Sequence, residues 1–189
     1  MRAALAVAAL VLTATALPAC TQTDPTEAPD AMDRPARYDL TAPPTRDDLG
    51  YPADAPALAF DRGTGDPLPV GVDLPQGRTL DLEAFRVDSV AGGREAPPTS
   101  LYVYTSVPRA QADAALEGAA AVLGLTEADV ARGRAVYESP ARPDDAVELV
   151  APPLDYLTVG LGVRKDERRE DVTVIYEFTW TAAAPAPAA

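Results

Sequence analysis

Histidine is absent from this 189-residue chain, and cysteine and lysine occur once each, at Cys20 and Lys165. Without histidine there is neither the side chain that titrates near neutral pH nor the commonest zinc ligand. One cysteine closes no intrachain disulfide and builds no thiolate cluster for zinc or iron–sulfur, so stability has to come from the packed core. Aromatic residues are sparse, at 6%, and no apolar run reaches the roughly 20 residues of a membrane-spanning helix. Nucleophilic catalysis is left with Ser or Thr beside lysine, or Tyr beside a carboxylate. The single lysine lies in Arg164-Lys165-Asp166-Glu167-Arg168-Arg169-Glu170, where alternating charge reads as a solvated hairpin loop rather than a desolvated site. Arg164, Lys165, Arg168 and Arg169 form a candidate interaction loop, and no catalytic residue, metal ligand or cofactor site is assigned.

Acidic residues are abundant instead: 29 against 16 basic ones, for a net charge of -13. Such a surface repels phosphate backbones and anionic headgroups, which argues against nucleic acid as a partner. Two acidic groups, Asp144-Asp145 with Glu148 and Asp61 with Asp66, lack the regular ligand spacing of an EF-hand loop and read as turns. Gly63-Thr64-Gly65 lacks the third glycine and the strand-to-helix context of a nucleotide loop, and also reads as a turn.

The amino terminus carries the most specific signal. Met1-Arg2 is a short positive region, and Ala3–Ala16 is an uncharged run of mostly Ala, Leu and Val, the length of a signal-peptide hydrophobic region. It ends at Leu17-Pro18-Ala19-Cys20, a tetrapeptide that resembles the bacterial lipobox, although Pro18 stands where Ala, Ser or Thr is more usual. The resemblance implies cleavage between Ala19 and Cys20, thioether attachment of diacylglycerol to Cys20, and often acylation of the new amino group with a fatty acid such as palmitate. It therefore implies a chain anchored in membrane lipid through acylated Cys20 and facing the extracytoplasmic side. The alternative is an ordinary secretory signal cut after Ala14-Thr15-Ala16, which would release a soluble protein with a free thiol.

Residues 1–19 thus read as leader. From Thr21 to Pro56 the chain has seven prolines, eight acidic residues and few apolar ones, so residues 20–57 read as a lipidated cysteine followed by a disordered tether. Residues 58–181 read as one domain, and 182–189 as an unstructured Ala/Pro tail.

Within the domain, Thr79–Val90 alternates with Leu80 and Leu82 on one face, then shifts phase to Phe85 and Val87, the pattern of a strand bulged near Ala84. Leu101–Thr105 reads as its hairpin partner. Pro108 opens a helix whose buried face carries Ala112, Ala115, Leu116, Ala119, Val122 and Leu123, closed by Gly124. Thr126 and Asp129 read as a cap for a short second helix ended by Gly133. Ala135–Ser139 and Val147–Val150 read as short strands. Leu157–Val163 and Val172–Trp180 alternate as a long hairpin, with Gly160 and Gly162 leaving a shallow groove opposite Thr173 and Ile175. The predicted fold is α+β: an antiparallel sheet of about five or six strands with one main and one short helix packed on one face.

The function expected from this is a membrane-anchored, non-enzymatic binding or interaction module of the cell envelope, presenting a sheet face or hairpin to a protein, cell-wall or small-molecule partner. Tyr102, Tyr104, Tyr156, Tyr176 and Trp180 could serve such contacts or pack in the core. The alternatives are a carboxylate-dependent envelope hydrolase, which needs two facing carboxyls with one pKa raised, and a structural spacer with no specific ligand.

Overall fold

The computed structural model describes residues 36–51, 57–61 (backbone only), 66–91, 96–139, 145–165 and 171–181. Every described residue belongs to one compact unit, Ala31–Ala189. The leader, Ala19, Cys20, the Gly63-Thr64-Gly65 turn, Asp144, Arg168, Arg169 and the tail 182–189 lie outside the described residues.

Local sequence explains the strands. β8 (Asp171–Trp180) buries Val172, Val174, Tyr176, Phe178 and Trp180 on one face and leaves the residues between them half-buried or exposed, the period-two signature of a sheet covered on one side. It pairs antiparallel with β7 (Leu157–Lys165) and, on its other edge, with β5 (Pro98–Pro108). β6 (Ala146–Val150) adds to β7. On the far side of β5 lies β4 (Arg78–Ala91), which turns tightly through Pro75-Gln76-Gly77 from β3 (Leu68–Leu74). Gln76 and Gly77 both take positive φ there, a conformation that suits glycine.

Two further strands enlarge the sheet. β1 (Ala36–Asp39) pairs parallel with β3, and β2 (Ala57–Asp61) pairs antiparallel with the half of β4 beyond β3. The order is β1-β3-β4-β5-β8-β7-β6, with β2 as an eighth strand beside β4. The sheet is thus larger than the five or six strands expected, and it is mixed, because β1 and β3 run together. The α+β class holds.

The expected tether also ends earlier than residue 57. Tyr38, Leu40, Leu49 and Tyr51 are buried in the core. Leu40 N–H donates to the Asp73 carbonyl at 2.8 Å, and the Tyr156 hydroxyl donates to the Leu40 carbonyl. Tyr51 donates to Ser89 Oγ at 2.9 Å, and Ser89 donates in turn to the Ser100 carbonyl at 2.6 Å. Proline and acid content concealed a few apolar residues spaced closely enough to pin Ala36–Tyr51 onto the sheet.

Both helices lie over one face, α1 (Ala112–Leu123) against β4 and β5, and α2 (Glu127–Glu138) against β6 and β7. Gly124 closes α1 in the left-handed conformation. Thr126 and Asp129 form a reciprocal capping box at the start of α2. Gly133 does not end α2, and Ala135–Glu138 is helix rather than strand. Gly133 is buried where the helices approach: a Cβ there would lie 2.8 Å from Leu116 Cδ2. The glycine serves close packing, not termination.

Candidate functional site

The phase shift in β4 has a structural result. Its pairing with β5 runs from Ala91 to Ala84 and is irregular between Ala84 and Arg86, so the extra residue of the bulge is Phe85. Val87 faces the core as expected, whereas Phe85 is half-buried with its ring 6.2 Å from that of Tyr104 on the opposite face. Past the bulge, Thr79–Glu83 keeps β3 on one side but has no partner strand on the other among the described residues. Ser106–Pro108 of β5 likewise keeps only β8. The sheet divides here, and α1 lies across the gap.

A cleft of about 510 Å³ fills the division, within the usual range of ligand sites. One wall is the α1 face carrying Ala115, Gly118, Ala119 and Val122, and the opposite wall is Leu80, Leu82 and Val107. The small residues at i, i+3, i+4 and i+7 keep the helix wall low. A Cβ on Gly118 would meet nothing within 4 Å. Asp81 and Glu83 supply the only formal charges among the lining residues, which include no lysine or arginine. Arg37 bonds both Asp73 and Asp81 from the neighbouring strand. A second depression of about 430 Å³, between β1, β3 and β4, shares Asp81, Leu82 and Glu83.

Tyr176 also lines the cleft. Its side chain is 4% exposed, and burial pushes its hydroxyl up to about 12. Buried tyrosine hydroxyls usually find a partner. Those of Tyr51, Tyr102, Tyr137 and Tyr156 do so, on Ser89, Glu177, Asp113 and the Leu40 carbonyl. That of Tyr176 makes no hydrogen bond among the described residues, and it is not among the fully enclosed orphan atoms; it therefore opens on the cleft. Among the described residues, Tyr38 on β1 is also a buried tyrosine whose hydroxyl makes no hydrogen bond.

The opposite face of the sheet carries Tyr102, Tyr104 and Phe85, all half-buried. Arg86 lies 5.1 Å from the Tyr104 ring centroid and bonds Asp88 Oδ2 at 2.7 Å, leaving the buried Asp88 Oδ1 unpaired. Gly162 faces Ile175 as expected, but Gly160 faces Glu177, and the Glu148 and Glu177 carboxylates lie 3.6 and 3.8 Å from where its Cβ would be. Those carboxylates fill the expected groove. Tyr156 is half-buried, and Trp180 is a core residue that donates to the Pro98 carbonyl at 2.8 Å.

Arg164 and Lys165 end β7, and the cleft does not include them. The perturbed carboxyls are all held low: Asp39 by Thr41, Asp48 by Thr45, Asp113 by Tyr137 and Arg134, and Asp129 by Thr126. A general acid needs the reverse shift. Among the described residues no cluster of three or more metal-ligating side chains occurs, and no helix is long and apolar enough to cross a membrane. The cleft escaped sequence reasoning because it arises where strands stop pairing; the phase shift after Ala84 was its one signal. No protein-family model, no curated protein and no solved structure matches this chain.

Proposed function

We propose that this chain is a membrane-anchored, extracytoplasmic binding module without catalytic chemistry of its own, lipidated at Cys20 and engaging its partner through the β4–β5 cleft. The observation that carries the binding role is the Tyr176 hydroxyl, which opens on the cleft beside apolar Leu80, Leu82 and Val122 and has no hydrogen-bond partner among the described residues. A ligand offering a hydrogen bond there would meet a hydroxyl that no described residue already holds. The lipobox-like Leu17-Pro18-Ala19-Cys20 supports the anchor, and the acidic surface suits a protein or cell-wall partner rather than nucleic acid.

The test is photocrosslinking of the full-length chain in its host envelope, with a benzophenone side chain at the exposed cleft residue Gln111. The expected result is a discrete adduct that disappears when Gly118→Leu fills the cleft and survives when Lys165→Ala alters the hairpin end. An adduct pattern indifferent to Gly118→Leu would move the binding surface elsewhere. Metabolic labelling with an alkyne fatty acid, lost in Cys20→Ser, tests the anchor separately.

A further inference from the structure

We infer that the cleft takes an extended peptide, which joins β4 as an added strand along Thr79–Glu83 and alternates apolar with basic side chains. This rests on the cleft being the binding surface. Three features of β4 lead to it.

The first is the backbone. Thr79–Glu83 is hydrogen-bonded to β3 on one side only, and a strand edge inside a cleft is a template for main-chain pairing with another segment. Five residues at about 3.4 Å each give room for a strand of about 17 Å. The low wall of Ala115, Gly118 and Ala119 leaves space beside the edge for a second backbone.

The second is the alternation of β4. Leu80 and Leu82 turn toward α1, whereas Thr79, Asp81 and Glu83 are exposed on the other side. Side chains of an added strand would alternate in step. On the helix side they meet Leu80, Leu82, Val122 and the Tyr176 ring, and on the open side they meet Glu83 and, beside it, Asp81, which Arg37 already bonds. Opposite charges directly across a strand pair attract, and like charges repel. The open-side positions therefore select Lys or Arg, and a chain of net charge -13 draws such a segment in.

The third is Tyr176, whose hydroxyl sits among the helix-side contacts without a bond. It favours a polar atom, such as a threonine hydroxyl, at one otherwise apolar position.

The experiment selects a phage-displayed random nonapeptide library on the full chain in detergent and counter-selects on Gly118→Leu. Surviving sequences are expected to alternate apolar residues with Lys or Arg. As synthetic peptides they should lose at least tenfold in affinity for Gly118→Leu and for Glu83→Lys, an exposed change that leaves the core intact. They should also slow amide hydrogen exchange within Thr79–Glu83. Survivors that bind without slowing that exchange, or that are acidic, would overturn strand addition while leaving the cleft as the binding surface. If nothing survives counter-selection, the cleft reading falls as well.

Discussion

Gly133 on α2 faces Leu116 on α1 so closely that a Cβ on the glycine would come within 2.8 Å of Leu116 Cδ2. Leu116 is buried and Leu149 stands 3.4 Å from the same point, so the leucine has little room to turn aside. Overpacking costs about 1–3 kcal/mol, while alanine gains about 1 kcal/mol of helix propensity over glycine. Gly133→Ala is expected to lower stability by about 1 kcal/mol, read as a lower urea midpoint at constant slope. Gly118→Ala, where the Cβ meets only open space, is expected to raise it by about 0.5–1 kcal/mol. Equal midpoints for the two would refute the packing role of Gly133.

The capping box makes α2 sensitive to acid. Asp129 is held at about 2, first by the Thr126 hydroxyl, then by the Thr126 N–H and by Arg132. A carboxyl depressed in the folded state contributes stability that is present above its unfolded value of about 3.9 and is lost as pH falls through the folded value. The start of α2 should therefore fray between about pH 4 and pH 2. In Thr126→Ala the loss, about 1 kcal/mol, is present at neutral pH. Amide exchange at residues 127–130 over that range is the measurement, and a wild-type profile flat with pH would count against the assignment.

Alkali acts on the buried phenols in the opposite sense. Burial first, with Asp113 beside Tyr137 and Asp39 and Asp155 beside Tyr156, pushes Tyr137, Tyr156 and Tyr176 to about 12. A raised value means that the folded state holds the proton more tightly. Their contribution is complete below about pH 10, the unfolded value, and is lost as pH rises through about 12. Tyr176→Phe removes no hydrogen bond and should change stability at neutral pH by less than about 0.5 kcal/mol. Tyr137→Phe gives up the bond to Asp113 and should cost about 1 kcal/mol. In ultraviolet titration Tyr176→Phe should remove one late-titrating phenol.

Truncation separates the domain from whatever precedes it. A chain beginning at Leu58 loses Tyr38, Leu40, Leu49 and Tyr51, each buried, and burial of such side chains contributes about 1.5–3 kcal/mol apiece. That approaches the whole stability of a small domain. Such a chain should show no cooperative thermal transition, whereas one beginning at Ala31, the start of the compact unit, should retain one. Cooperative melting of the shorter chain would make Ala36–Tyr51 an accessory.

The legible parts of the fold were those with an uninterrupted period. Val172 to Trp180 alternates without a break, and α1 repeats its apolar residues over three turns, so both were readable from sequence. The strands β1 to β3 were not. Ala36–Asp39 has too few residues to show a period, and Pro69 and Gly71 interrupt β3; tertiary pairing overrides both signals. Gly133 misled for a related reason, because a glycine that ends a helix and one that lets two helices touch look alike in one dimension. Of the candidate interaction loop, Arg164 and Lys165 prolong β7 by two residues beyond the expected strand end at Val163, because both pair with β8. The cleft depends on which strands cease to meet, and only the slipped phase beyond Ala84 hinted at it.

The parallel union of β1 with β3 also has a mechanical meaning. Any pull arriving from upstream of Ala36 is felt first by a four-residue edge strand. That strand is riveted at its downstream end, where Leu40 is held by the Asp73 carbonyl and by Tyr156, and along its length by Arg37 on Asp73 and Asp81. Traction on the amino-terminal side is thereby shared between β3 at one end of the sheet and the segment leading into β7. Detaching β1 from the sheet therefore requires breaking its pairing with β3 and the grip on Leu40 as well.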